Sequence, residues 1–229
     1  MVGGVIGFVF YMDMATGQVL GRSIVIPLLA VLVINSLLGI LVYKSAVEPS
    51  LKRGSEYNWV LATLAFGIIV RNVVEQAWST GDYRFASPVG DSPIHFGSVG
   101  VYPQEILIIV VASVIVAALE VFRRKTILGK AIQAVSEDRQ TASLMGIPQN
   151  FVILFSFVLS SVIAGIAGLL VAPLTFVSAS MGTVLGIKAY AVAIIGGLES
   201  GLGILVGGLI LGLAEAFTAR YISTGYKDT

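Results

Sequence analysis

Long apolar stretches recur along this chain, and short polar segments separate them. Ser23–Tyr43, Glu105–Phe122 and Phe151–Val171 each approach or reach the roughly 20 residues a helix needs to cross a hydrocarbon core. Trp59–Val70 opens a further helix, expected to run on to about Trp78. Met181–Leu198 and Leu202–Thr218 supply two more apolar helices, joined by the glycine-rich turn Gly196–Gly201. In lipid, backbone polar groups must be satisfied within the segment, so such stretches have to be helices. The expected fold is all-α: a polytopic helical bundle integral to the membrane, one transmembrane domain over residues 1–229. Composition agrees, with 12% charged residues against about 25% in soluble domains.

The largest interruption, Arg123–Asn150, reads RRKTILGKAIQAVSEDRQTASLMGIPQN. It holds Arg123, Arg124, Lys125, Lys130 and Arg139 out of the chain's 14 Lys and Arg. A short helix is written into it. Ser136 is expected as the N-cap, with Glu137 and Asp138 in the first turn, where carboxylates complement the helix dipole. Gly146 suits the left-handed position after the C-terminus, and Pro148 blocks continuation. The helix between them has about nine residues, with Ala142, Leu144 and Met145 as its apolar content, and is marginal alone. It needs a partner surface.

Lys44–Asn58 is expected as a polar loop, and Asp13–Arg22 as a polar turn. Ser79–Gln104, with Pro88, Pro93 and Pro103, should form a short hairpin or irregular cap. Met1–Met12 is too short to span and looks like the second half of a helix. If the island is cytoplasmic, Lys44–Asn58 is inside too, and 79–104 and the C-terminal tail lie outside. The inside loops then hold Lys44, Lys52, Arg53, Arg123, Arg124, Lys125, Lys130 and Arg139; the outside ones hold Arg22, Arg84, Arg220 and Lys227. That asymmetry follows the positive-inside rule.

Four ionisable residues lie within apolar helices: Arg71, Glu75, Lys188 and Glu215. Charge at that depth is costly and marks a translocation path by default. The alternative is that each sits near a helix end and reaches the interface by snorkelling. Gly203 with Gly207, Gly208 with Gly212 and Ala164 with Gly168 are four apart, a spacing that allows close helix approach; ordinary packing is the favoured reading.

Much chemistry is missing from the sequence. No phosphate-binding G-x-x-x-x-G-K-[ST] occurs, nor H-E-x-x-H or G-x-S-x-G. There is no cysteine, and the lone His95 has no ligand cluster near it, so no metal is expected. A net charge of +1 gives no reason to expect nucleic acid. The chain is not expected to be an enzyme, nor to hold a cofactor of its own.

Leu128–Leu170, LGKAIQAVSEDRQTASLMGIPQNFVILFSFVLSSVIAGIAGLL, resembles the inner-membrane permeases of branched-chain amino acid ABC importers. Gly186–Phe217 continues the resemblance, and STGYKD near the end is similar to the H-type branch. Importers of this superfamily dock a cytoplasmic E-A-A-x-x-x-G loop on an ATPase; here Gln140, Thr141, Ala142 and Gly146 occupy that frame. Ala142 and Gly146 match, while the leading Glu-Ala is replaced, which leaves Glu137, Asp138 and Arg139 as charged substitutes and Ile147 beside them. The resemblance implies a multi-pass protein of the bacterial inner membrane with a cytoplasmic coupling loop at 123–150 and a periplasmic loop at 79–104. It also implies a second permease subunit, two ATPase subunits that bind the ATP, and a periplasmic substrate-binding protein. Helices before Met1 and after Thr229 are implied as well, so that the chain is a fragment or starts at an internal methionine. An ion-coupled secondary transporter, using Arg71, Glu75, Lys188 and Glu215 as coupling residues, is the alternative. A non-transporting membrane scaffold is a third, which would not need a capped cytoplasmic helix.

Overall fold

The computed structural model describes residues 2–11, 25–52, 58–78, 94–96, 99–175, 177, 181–198 and 200–221. Helix α1 is Val2–Tyr11 and α2 is Val25–Val42. Helix α2 does not stop at the expected loop. It continues through a π-helical turn, Tyr43–Val47, into α3, Glu48–Lys52. Lys44 to Lys52 is therefore helical, which corrects the expected loop. Serines are one reason that polarity does not end the helix: Ser45 Oγ and Ser50 Oγ donate to the carbonyls of Leu41 and Ala46, each at 2.6 Å. The resulting rod, Val25–Lys52, has 28 residues, and at about 1.5 Å per residue it outruns a hydrocarbon core of about 30 Å.

Helix α4 is Asn58–Trp78. The strands β1, Ile94–Phe96, and β2, Val99–Val101, pair antiparallel, with His95 opposite Gly100. The expected hairpin is there; most of the rest of 79–104 and all of 13–22 lie outside the described residues. Helix α5, Pro103–Lys125, absorbs the basic cluster Arg123–Lys125 into its last turn. The island forms α6, Ile127–Glu137, and α7, Arg139–Leu144, and leads into α8, Gln149–Val171. Helices α9, Met181–Gly196, and α10, Gly201–Tyr221, close the described chain. Among the described residues, five helices are long and apolar enough to cross a membrane; α9, at 16 residues, is shorter.

Helices α1, α2 and α8 form the packed centre. Val5, Ile6, Val31, Leu169 and Ala172 are buried together there, with Val177. Lipid offers apolar side chains no hydrophobic penalty, so association depends on close approach of backbones. Gly39 lets α2 meet α8: a Cβ there would lie 2.8 Å from Val158 Cα. Gly165 makes room for Asn35, since a Cβ would lie 2.6 Å from its Nδ2. Asn35 is buried, and its Nδ2 donates to Val31 O at 2.9 Å, which settles that amide in an apolar setting. Gln104, also buried, donates from Nε2 to Leu170 O at 2.7 Å and pins the start of α5 to the end of α8.

Helices α9 and α10 form a hairpin through Gly197, whose φ is 83°. A Cβ at Gly207 would lie 2.9 Å from Val192 O, and Gly196 and Gly203 are in backbone contact. The expected packing glycines divide here. Gly203 and Gly207 build the α9–α10 contact, and Gly168 packs on the backbone of Gly3 and Gly4. Gly208 meets only the Val192 side chain, at 3.7 Å, and Gly212 has nothing within 4 Å. Gly208 thus touches the α9–α10 seam only through a side chain, and Gly212 takes no part in it among the described residues.

Gly39→Leu should separate α2 from α8 and lower the thermal unfolding midpoint of the detergent-solubilised protein by several degrees. Gly67→Ala, at a site with nothing within 4 Å, should leave the midpoint unchanged or raise it, because Ala is the better helix former by about 1 kcal/mol.

Candidate functional site

The island is built from Thr126 onward. Thr126 Oγ1 donates to Phe122 O at 2.7 Å and accepts from Gly129 N at 3.0 Å, ending α5 and capping α6 with one side chain. Gly129 then allows α6 to fold back on the end of α5, where a Cβ would lie 2.6 Å from Arg123 Cα. Glu120 takes hydrogen bonds from Arg123 Nη2 at 3.0 Å and from Arg124 Nε at 2.5 Å, so part of the basic cluster is internally paired.

The N-cap of α7 is Asp138, two residues later than expected. Its Oδ1 accepts from Gln140 N at 2.8 Å and Thr141 N at 3.1 Å, and its Oδ2 accepts from Thr141 Oγ1 at 2.6 Å. Ser136 instead lies in the last turn of α6 and donates back to Gln133 O, and Glu137 ends α6 rather than starting α7. The bond from the Thr141 hydroxyl first, then the backbone N–H groups of Thr141 and Gln140, holds the Asp138 carboxyl below its ordinary range. A lowered folded-state value means the cap is fully in place above the usual carboxylate range of about 4 and is lost as pH falls below it. Physiological pH does not disturb it.

Helix α7 has six residues, and its end matches expectation. Gly146 has φ 81°; its N–H donates to Ser143 O at 3.0 Å, and Ile147 N–H donates to Ala142 O at 3.1 Å. These two bonds make a Schellman cap. Of the predicted coupling residues, Glu137, Asp138 and Gly146 are exposed, Arg139 and Ile147 are half-buried, and Ala142 is buried. Ala142 therefore anchors α7 from below. At its C-terminal tip the segment exposes apolar side chains: Leu144 is 86% and Met145 80% exposed, beside Gly146. Apolar residues in an otherwise polar loop were the available signal for that tip.

Beneath α7, one buried cluster joins three parts of the chain: Tyr43 and Val47 from the π turn, Val135 and Ala142 from the island, Val152 and Ile153 from α8. Among the described residues the Tyr43 hydroxyl is buried and without a partner. A groove of about 1100 Å³ opens beside the cluster, between Lys52, Trp59, the α6–α7 joint and Asn150.

The four intramembrane charges resolve into two pairs. Arg71 Nε lies 2.9 Å from Glu75 Oε1, one turn along α4. Lys188 Nζ on α9 lies 3.1 Å from Glu215 Oε1 on α10. The first has the i,i+4 spacing that pairs charges along a helix; the second joins two helices and has no such signal in the sequence. Arg71 also lines a cleft of about 830 Å³ with residues of α1, α2, α8 and α9.

The family model described as "Branched-chain amino acid transport system / permease component" matches residues 1–228. The chain belongs to this family. It is 37% identical over 132 residues to the high-affinity branched-chain amino acid transport system permease LivH of Escherichia coli K12, covering 57% of this chain and 43% of that one. It is 32% identical over 210 residues to the permease BraD of Pseudomonas aeruginosa, covering 87% and 66%. A probable LivH permease of Methanocaldococcus jannaschii is 27% identical over 202 residues, covering 85% and 62%. The match thus spans less than half the length of the E. coli relative. No solved structure matches the chain. This permease is a multi-pass protein of the inner membrane, with the helical fold that its apolar runs predict.

Lys188→Met removes the ammonium that Glu215 faces, and Glu215→Leu removes the carboxylate that Lys188 faces; for this half-buried pair, breaking one side should cost more than replacing both. Unfolding midpoints in detergent should therefore fall for each single variant and recover in Lys188→Met/Glu215→Leu.

Proposed function

We propose that this permease is a pore-forming subunit of an ATP-driven importer for branched-chain or chemically related amino acids. In this reading it assembles with a second permease subunit, two ATPase subunits and a periplasmic substrate-binding protein. ATP is bound by the ATPase subunits, and the permease carries no cofactor and no catalytic residue. Residues 123–150 face the cytoplasm.

The observation that carries the reading is the construction of α7. A six-residue helix has two complete caps, an exposed Leu144–Met145 tip, and a buried underside shared with α2 and α8. An exposed apolar tip on a rigid base is suited to insertion in a partner's groove. Its base touches the two long helices, so displacement of the tip is passed to the bundle. Nucleotide-driven closure of the ATPase pair would thereby bias a two-state bundle between outward and inward access. Charged substitutes for the missing Glu-Ala of the docking motif are at hand: Glu137 and Asp138 are exposed beside the joint.

Gly146→Val forces a branched side chain into a left-handed backbone, at a cost of about 1–2 kcal/mol, and should unwind the tip. Co-purification with the ATPase subunits and ATP-dependent leucine uptake should both be lost. Gly146→Asn tolerates that conformation and should retain most of each. Uptake that survives in Gly146→Val and follows a proton gradient would establish the ion-coupled alternative instead.

A further inference from the structure

We propose that Arg71 reads the α-carboxylate of the transported amino acid, with Glu75 as its positioning residue. The inference rests on the importer reading above and names the group in the permease that recognises its substrate class.

Arg71 lies thirteen positions after Asn58, the first residue of α4, or about 20 Å along the helix axis. That places the guanidinium at hydrocarbon depth, where ionisable groups face protein interiors or aqueous cavities. It does face such a space, the cleft of about 830 Å³, a volume in the range of small-molecule sites. Among the described residues, Arg71 is the one charged residue in the cleft lining. Most of the wall is apolar, with Leu38, Phe66 and Ile187 suited to an aliphatic side chain; Asn35, Ser161 and Thr183 bring polar groups to the same space.

The pairing geometry gives the assignment its direction. Among the described residues, Glu75 accepts from Arg71 Nε and from neither Nη atom. A guanidinium presents its donors as a planar fork, and two parallel N–H groups match a carboxylate bidentately. Glu75 thus orients the fork from behind and leaves its Nη end for a ligand. The pair is neutral as a whole, so a zwitterion brings no net charge into the cleft. Its carboxylate meets the Nη end, and its ammonium meets amide or hydroxyl oxygens across the space. An uncharged amide or urea offers the fork only a carbonyl, which recognises less of it.

An anionic lipid headgroup presents similar chemistry to an arginine, so the test removes it. The full chain, assembled with its ATPase and binding protein, is reconstituted in phosphatidylcholine vesicles, and leucine uptake and binding-protein-stimulated ATP hydrolysis are measured together. Arg71→Ala should lose uptake at least tenfold while stimulated hydrolysis stays within twofold. Arg71→Lys, which keeps the charge but not the fork, should fall between Arg71→Ala and the unsubstituted protein. Glu75→Gln should raise the half-saturating concentration more than it lowers the maximal rate. If Arg71→Ala does not assemble, Arg71→Lys carries the comparison, because its ammonium can still pair with Glu75. Uptake within twofold of the unsubstituted protein overturns the proposal, as does parallel loss of uptake and hydrolysis in Arg71→Lys. A deficit that appears only after anionic lipid is added assigns Arg71 to the headgroup and also overturns it. Failure of the unsubstituted assembly to transport any neutral amino acid overturns the importer reading itself, a result distinct from the others.

Discussion

Tyr43 and Val47 meet Val135, Ala142, Val152 and Ile153 in one buried cluster, and the placement of α6 and α7 depends on that contact. Helices as short as α6 and α7 are unstable alone, so their placement comes from what they bury. Here α2 supplies the floor. It does so because it runs past the membrane boundary without breaking, through a π-helical turn that widens the helix where Tyr43 and Val47 point into the cluster. Single π turns inside α-helices are frequent at functional positions. The arrangement makes α2 both a wall of the bundle and the seat of α7.

Within the membrane a different economy holds. Glycines let α1, α2 and α8 approach backbone to backbone, and Asn35 and Gln104 satisfy their polar groups against main-chain carbonyls. Helices α4, α5 and α10 keep broad apolar faces exposed, as a lipid-facing or subunit-facing surface does. Charges appear there as pairs. Lys188–Glu215 ties the α9–α10 hairpin across its seam, whereas Arg71–Glu75 lies along one helix and leaves an edge toward the cleft. The first is suited to holding a structure together, the second to meeting a ligand.

The long helices were legible because spanning requires a length of apolar sequence that little else in proteins needs. The left-handed Gly146 was legible because few residues take that conformation cheaply. The cap was misplaced for a physical reason: Ser136 and Asp138 are equally competent N-caps, and Gly129 and Val135, packed against the rest of the fold, decide that α6 persists to Glu137. Lys44–Lys52 read as a loop because its charges interrupt the apolar run, yet burial of Tyr43 and Val47 holds it helical. The Lys188–Glu215 pair could not be read at all, since it depends on the register that Gly203 and Gly207 set between two helices.

The exposed tip of α7 is proposed to lie in the cytoplasm, against a partner. Because the chain has no cysteine, Leu144→Cys would be a unique thiol, and a membrane-impermeant thiol reagent reads its side directly. The thiol should be unreactive in intact cells, reactive in inverted vesicles stripped of the ATPase, and protected again once the ATPase is restored. Labelling in intact cells would put the island on the outer face and contradict the account.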